Sequence, residues 1–166
     1  MQAVPDVVRK HWPEYLMEAA GLGLFMISAA VVTTLLEYPH SPLHGLFADQ
    51  AIRRLMIGLA MGATAIGLIY SPWGKRSGAH LNPAVTLTFY RLGKIGGIDA
   101  CSYVMAQFFG GALGLWLVSR AIGKAVEHPA VNYVVTTPGP AGSGTAFVAE
   151  ALISFGLMLV LLMVSN

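Results

Sequence analysis

The feature that most restricts this chain is where its charges are missing. Between Glu18 and Glu37 lie 18 residues without a charge, and residues 55–74 and 100–119 are two further uncharged stretches. Residues 145–165 carry only Glu150. Backbone placed in hydrocarbon must satisfy its N–H and C=O groups internally, as a helix does, and roughly 20 residues at about 1.5 Å each cross a core about 30 Å thick. The sequence therefore predicts an all-α integral membrane protein with four spanning helices, near residues 15–36, 51–70, 99–119 and 144–165. Composition agrees, since 55% of the 166 residues are hydrophobic and only 11% are charged, less than half the usual charge of a soluble domain.

The same composition removes several function classes. A net charge of +2, scattered along the chain, is too small for a nucleic-acid footprint, so no nucleic-acid partner is expected. The single cysteine, Cys101, can form neither an internal disulfide nor a thiolate metal cluster. No phosphate-binding glycine loop, catalytic dyad or HExxH run is present, so neither an enzyme activity nor a cofactor or metal is expected. The first apolar run includes polar residues at its start and is too long for a signal peptide, so it is expected to stay in the mature protein. Six basic residues (Arg9, Lys10, Lys75, Arg76, Arg91, Lys94) against four (Arg53, Arg54, Arg120, Lys124) favour a cytoplasmic amino terminus.

Small residues recur at helical spacing. Gly58 and Gly62 form a Gly-x-x-x-Gly in the second span, and Gly110 and Gly114 form another in the third. In lipid, where apolar burial gives no drive for association, such positions let backbones approach closely, and both pairs are expected at helix contacts.

One segment does not fit a simple bundle. Residues 71–94 read SPWGKRSGAHLNPAVTLTFYRLGK. Ser71, Pro72, Gly74, Ser77 and Gly78 punctuate it as a turn or loop. Asn82 then caps a helix with Pro83 in its first turn, and Gly93 marks its end. Eight to ten residues cover only about 12–15 Å, half a crossing. This helix either enters the membrane part way or lies on the cytoplasmic surface. If it enters, irregular backbone at that depth implies protein or water to satisfy it. The helix start would then supply amide donors, a cation-repelling dipole and the Asn82 NH2 group to a small neutral solute.

The string SGAHLNPAVTLT, residues 77–88, closely resembles the first pore loop of the aquaporin and glycerol-facilitator family, with the Asn-Pro-Ala signature at Asn82, Pro83 and Ala84. The outline agrees: Glu18 resembles the family's first-helix glutamate, Gln107 with FFGGALG its third helix, and Glu150 its fourth-helix glutamate. The resemblance implies an aquaporin-like bundle, here of four spanning helices plus one re-entrant half-helix, in a multi-pass protein of the cell membrane. It implies a passive channel for water, with glycerol or another small neutral solute as alternatives. Homotetramers embedded in membrane lipid are the assembly it implies. Asn82, His80 and Ala79 would contact the pore or solute, while Gly78, Pro83 and Ala84 shape the turn. Glu18 would accept hydrogen bonds from the loop around His80, Glu150 would do the same for a second loop, and Gln107 would be a structural polar group inside the membrane.

Other polar residues receive plainer readings. His11, His40, His44 and His128 are expected to be solvated in tails or loops, and Lys75 and Arg76 either to be ordinary positive-inside residues or to contact lipid headgroups or attract anions. Trp12, Trp73 and Trp116 fall near expected span ends. The family pattern calls for two more spans and a second Asn-Pro-Ala segment beyond Asn166. Residues 1–166 are therefore expected to be one incomplete aquaporin-like domain, with a first repeat at about 10–119 and the start of a second at about 144–166. Two functions stay open on that basis: a conducting channel, or a non-conducting scaffold or fragment that needs the missing helices.

Overall fold

The computed structural model describes residues 4–164. Every regular element among them is helical: α1 (Val4–Glu37), α2 (Pro42–Leu46), α3 (Gln50–Tyr70), α4 (Pro72–Ser77), α5 (Pro83–Arg91), α6 (Gly97–Ile122), α7 (Lys124–Glu127) and α8 (Gly142–Val164), with one 3-10 turn at Asn132–Val134. Four of these, α1, α3, α6 and α8, are long and apolar enough to cross a membrane. The four expected spans are thus present. Residue 165, the expected end of the fourth, and residue 166, the end of the expected second repeat, lie outside the described residues.

Local signals set most of the boundaries. Asp49 caps α3 by accepting the amides of Ala51 at 2.7 Å and Ile52 at 3.3 Å, which satisfies two orphan donors of the first turn. The stretch after α3, expected to be a turn or loop, instead contains α4. Its punctuation residues are helix start and stop signals: Ser71 Oγ accepts the Gly74 amide at 2.9 Å, Pro72 occupies the first turn, and Gly78 ends the helix at φ +89°. Gly74 is required for this fold-back, because a Cβ there would strike the carbonyl oxygen of Leu68. At the other end of α1, buried Arg53 ties three segments together. Its Nε donates to Glu37 Oε2 at 3.2 Å, and its Nη1 donates to the carbonyls of Phe47 at 2.8 Å and Ala48 at 2.9 Å.

The main packing contact is α1 against α6. A Cβ on Gly110 would run into the Ala19 carbonyl, and one on Gly114 into that of Gly23. In return, a Cβ on Gly23 would sit 2.9 Å from the Gly110 carbonyl oxygen. The two backbones touch without side chains between them, the close approach that small residues permit in lipid. Around Gly58 and Gly62, by contrast, nothing among the described residues lies within 4 Å of where a Cβ would stand. α3 meets α1 through Ser28 and Thr64, whose hydroxyl oxygens are 2.8 Å apart.

Two histidines lie in helices rather than in the expected tails and loops, and the other two lie in loops against an aromatic ring. His11 belongs to α1, and its Nδ1 lies 2.9 Å from Asp99 Oδ1, which also accepts the Tyr15 hydroxyl at 2.6 Å. The physical reason is that α1 continues well before its apolar run and still runs beside the start of α6. His44 lies in α2 with Nδ1 3.0 Å from the Leu36 carbonyl oxygen, and His40 and His128 each pack edge-on against Tyr38.

The chain divides into two compact units, Met1–Val134 and Val135–Asn166. The first holds α1–α7 and the second holds α8.

Candidate functional site

Glu18 is the centre of the first unit. It lies on the face of α1 turned toward the loop between α4 and α5, and it is completely buried. A buried carboxylate loses several kcal/mol of hydration unless donors replace the water. Four do. Oε1 accepts the Ser77 hydroxyl at 2.7 Å and the His80 amide at 3.1 Å, and Oε2 accepts the Leu81 amide and the Gln107 side-chain amide, each at 2.8 Å. All the acceptor capacity of an ionised carboxylate is used. One turn further along α1, Gly21 makes room for the Leu81 side chain, which a Cβ there would strike.

The loop held this way is strained. Gly78, Ala79 and Leu81 have φ of +89°, +47° and +48°, a left-handed region that costs a non-glycine residue of order 1–3 kcal/mol. Such backbone persists where its surroundings over-determine it. Here Ser77 Oγ accepts the Ala79 amide at 3.1 Å, Glu18 takes the next two amides, and the Tyr103 hydroxyl donates to the Ser77 carbonyl at 2.7 Å. Three successive amides are therefore turned toward the core. The carbonyls of Gly78, Ala79 and His80 have no hydrogen-bond partner among the described residues.

After this loop comes Asn82, the cap of α5. Its Oδ1 accepts the Ala84 amide at 2.7 Å, and Pro83 fills the next position, where a missing N–H costs nothing. The cap commits the oxygen of the side chain and leaves its NH2 as an exposed donor. α5 has nine residues, within the eight to ten expected. Gly93, in the left-handed region at φ +70°, stands just beyond it.

A second layer fixes the first. Thr86, also fully buried, donates from its hydroxyl to the Asn82 carbonyl at 3.2 Å and accepts from Gln107 Nε2 at 3.0 Å. His80 Nδ1 lies 3.1 Å from the same oxygen. A hydroxyl has one hydrogen, so with that hydrogen on the Asn82 carbonyl, His80 must donate from Nδ1. The ring is held between Phe89 and Tyr103, with centroids 4.8 Å and 5.2 Å away. The Gln107 amide nitrogen faces Glu18 because a carboxylate can only accept. Gln107 Oε1 is consequently left buried without a partner among the described residues.

The structure thus brings together Glu18, Gly78, Ala79, His80, Asn82, Pro83, Ala84 and Gln107. Gly110 and Gly114 lie further along α6 against α1, while Gly58 and Gly62 on α3 are elsewhere. Glu150 lies on α8, in the other unit. Sequence reasoning missed Ser77, Thr86 and Tyr103. The available signals were Thr86 four residues after the cap and Tyr103 four before Gln107, each one helical turn from a residue already singled out.

Comparison with known proteins gives a consistent picture. Residues 7–166 match the Major intrinsic protein family. The chain is 39% identical over 107 residues to "Probable aquaporin AqpM" of Archaeoglobus fulgidus, covering 64% of this chain and 43% of that one. It is 35% identical over 112 residues to "Glycerol uptake facilitator protein-like 6" of Lactiplantibacillus plantarum, covering 68% and 51%. With "Aquaporin NIP2-2" of Zea mays it shares 33% over 142 residues, covering 84% and 46%. The chain spans about half the length of the curated relatives it matches. No solved structure matches it.

Proposed function

Because the chain belongs to the major intrinsic protein family, we propose that it provides the first pore loop of a passive channel for water, or for glycerol or another small neutral solute. The observation that carries this reading is the polarity of the loop. Its amides point inward to Glu18 and Ser77, while the carbonyls of Gly78, Ala79 and His80 and the NH2 of Asn82 have no partner among the described residues. A row of acceptors ending in a donor suits a hydroxyl-bearing solute, which needs both.

In this reading α5 is a re-entrant half-helix. The open carbonyls of the loop before it are tolerable at membrane depth only if they line a watery path, and the positive end of the α5 dipole at Asn82 disfavours cations there. Pro83 and Ala84 set the turn, and Thr86 and Gln107 hold it from behind. Glu150 would anchor a corresponding loop of a second repeat that begins at about 144. The whole protein would be a homotetramer in the cell membrane, with the amino terminus of this chain cytoplasmic. No chemical step is involved.

Stopped-flow swelling of proteoliposomes containing this chain tests the reading. Water permeability above protein-free vesicles, with a low activation energy, is expected, and Asn82→Asp should lower it about tenfold by replacing the donor with a carboxylate, a rise of roughly 1.4 kcal/mol in barrier. Permeability equal to the blank in vesicles shown to hold folded chain would favour the non-conducting reading instead.

A further inference from the structure

Two apolar hollows beside α1 run into one another. The larger, about 540 Å³, lies between α1 and α6 and is lined by Leu16, Ala20, Gly23, Phe109 and Leu113, with Trp73 of α4 beside them. The smaller, about 270 Å³, continues along α1 to Trp12 and Pro13 and shares Leu16, Ala20 and Trp73 with the first. The floor of the joint groove thus runs along α1 from Trp12 to Ile27. The fifteen helical rises between them cover about 22 Å, more than the roughly 15 Å depth of one leaflet's hydrocarbon. The volume is far below that of a spanning helix, which about 10 Å across and 30 Å long occupies about 2,400 Å³. A single extended hydrocarbon chain suits this slot better.

The charges at the Trp12 end say which lipid. Arg9 lies on the same stripe of α1, three residues before Trp12 and seven before Leu16, where helical spacing brings side chains to one face. It is exposed and joins none of the ion pairs among the described residues. Arg76 follows Trp73 by three residues across the end of α4, and its side chain is 55% exposed. It engages Glu14 through Nε alone, at 2.9 Å, which leaves both terminal NH2 groups for another anion. Trp12 and Trp73 are the amphipathic residues expected at the headgroup level.

We propose that this groove seats one acyl chain of an anionic phospholipid whose phosphate is held between Arg9 and Arg76. Guanidinium forks match phosphate oxygens in pairs, and basic residues beside a span attract anionic headgroups. A zwitterionic lipid offers the same chain but brings its own cation toward two arginines. The site does not depend on whether the chain conducts.

Tryptophan quenching tests this. The chain carrying Trp116→Phe, whose fluorescence then comes from Trp12 and Trp73, is reconstituted in phosphatidylcholine vesicles with a minor fraction of phosphatidylglycerol, with brominated chains on one lipid or the other. Brominated phosphatidylglycerol should quench about fivefold more per lipid, the ratio that one basic contact at the membrane surface supplies. Arg9→Gln should abolish that excess and Arg9→Lys should keep part of it, while Ala20→Phe should abolish it by filling the groove. Equal quenching by the two lipids overturns the proposal. So does an excess that survives Ala20→Phe, which would place the lipid on surface charge alone. Absence of quenching by either lipid in a self-associated chain also overturns it, because a second copy would then cover the groove.

Discussion

Two Gly-x-x-x-Gly pairs read alike in this sequence and do different things in the structure. Gly110 and Gly114 bring α6 onto the backbone of α1, whereas Gly58 and Gly62 on α3 face open space among the described residues. The difference lies in the helix opposite. Where α1 meets α6 it presents Ala19 and Gly23, four residues apart, so both surfaces are flat at the same pitch. α3 turns Thr64 toward Ser28 of α1, while Gly62, two residues or about 200° round the helix from Thr64, has no helix opposite it among the described residues. A small-residue pair permits close approach but needs a matching pair opposite to bring it about. The tight interface is also the one that carries the carboxylate cluster, since Gln107 of α6 reaches Glu18 only because the backbones are close.

The strongest way to break the comparison is at Gly110. No rotamer relieves a clash between a Cβ and the Ala19 carbonyl, so the helices must separate and the Gln107–Glu18 bond must stretch with them. Gly110→Leu is expected to cost more than about 4 kcal/mol, the range reserved for severe core disruption. Unfolding by denaturing detergent, followed by tryptophan fluorescence, reads this out. A variant that unfolds with the parent would mean that α1 and α6 are not in backbone contact.

Glu18→Gln comes next, because it keeps the shape of the side chain and changes only what it can accept. A glutamine turns an NH2 toward two of the four donors, and each donor left buried without a partner costs about 1–3 kcal/mol. The expected loss is about 2–6 kcal/mol, with the strained loop released before the helices part. Protease cleavage or hydrogen exchange confined to residues 77–82 ahead of global unfolding would show that order. Simultaneous loss of both would mean that the carboxylate holds α1 to α6 rather than holding the loop.

Much of the scaffold was legible in the sequence, and the reason is physical. Uncharged runs fix spanning helices because hydrocarbon tolerates little else, and Asn82-Pro83 fixes a helix start because a cap and a missing amide hydrogen belong there. Glu18 stood out because an ionisable group inside a span is costly. Ser77, Thr86 and Tyr103 did not stand out, since hydroxyl residues are common in membrane helices and these gain meaning only from Glu18, Asn82 and Gln107 brought beside them by folding. The short α4 was hidden for a related reason: Ser71, Pro72 and Gly78 are turn residues, and a six-residue helix consists almost entirely of its start and stop signals. His11 was misread because a helix does not have to end where its apolar run ends.

The smallest expected effect is the sharpest test of what the two glycine pairs have in common. A Cβ at Gly62 meets nothing within 4 Å among the described residues, so for the chain by itself Gly62→Leu should change stability by no more than about 0.5 kcal/mol, as an unhindered surface substitution does. The same measurement that detects Gly110→Leu serves here, with the two variants run side by side. If Gly62→Leu leaves unfolding unchanged while Gly110→Leu abolishes the folded state, spacing alone does not make a helix contact, and the residues opposite decide it. If Gly62→Leu instead destabilises by several kcal/mol, another surface must cover that face of α3 in the folded protein. Repeating the unfolding at tenfold lower protein concentration then separates a contact within one chain, whose midpoint stays fixed, from one between copies, whose midpoint falls with dilution.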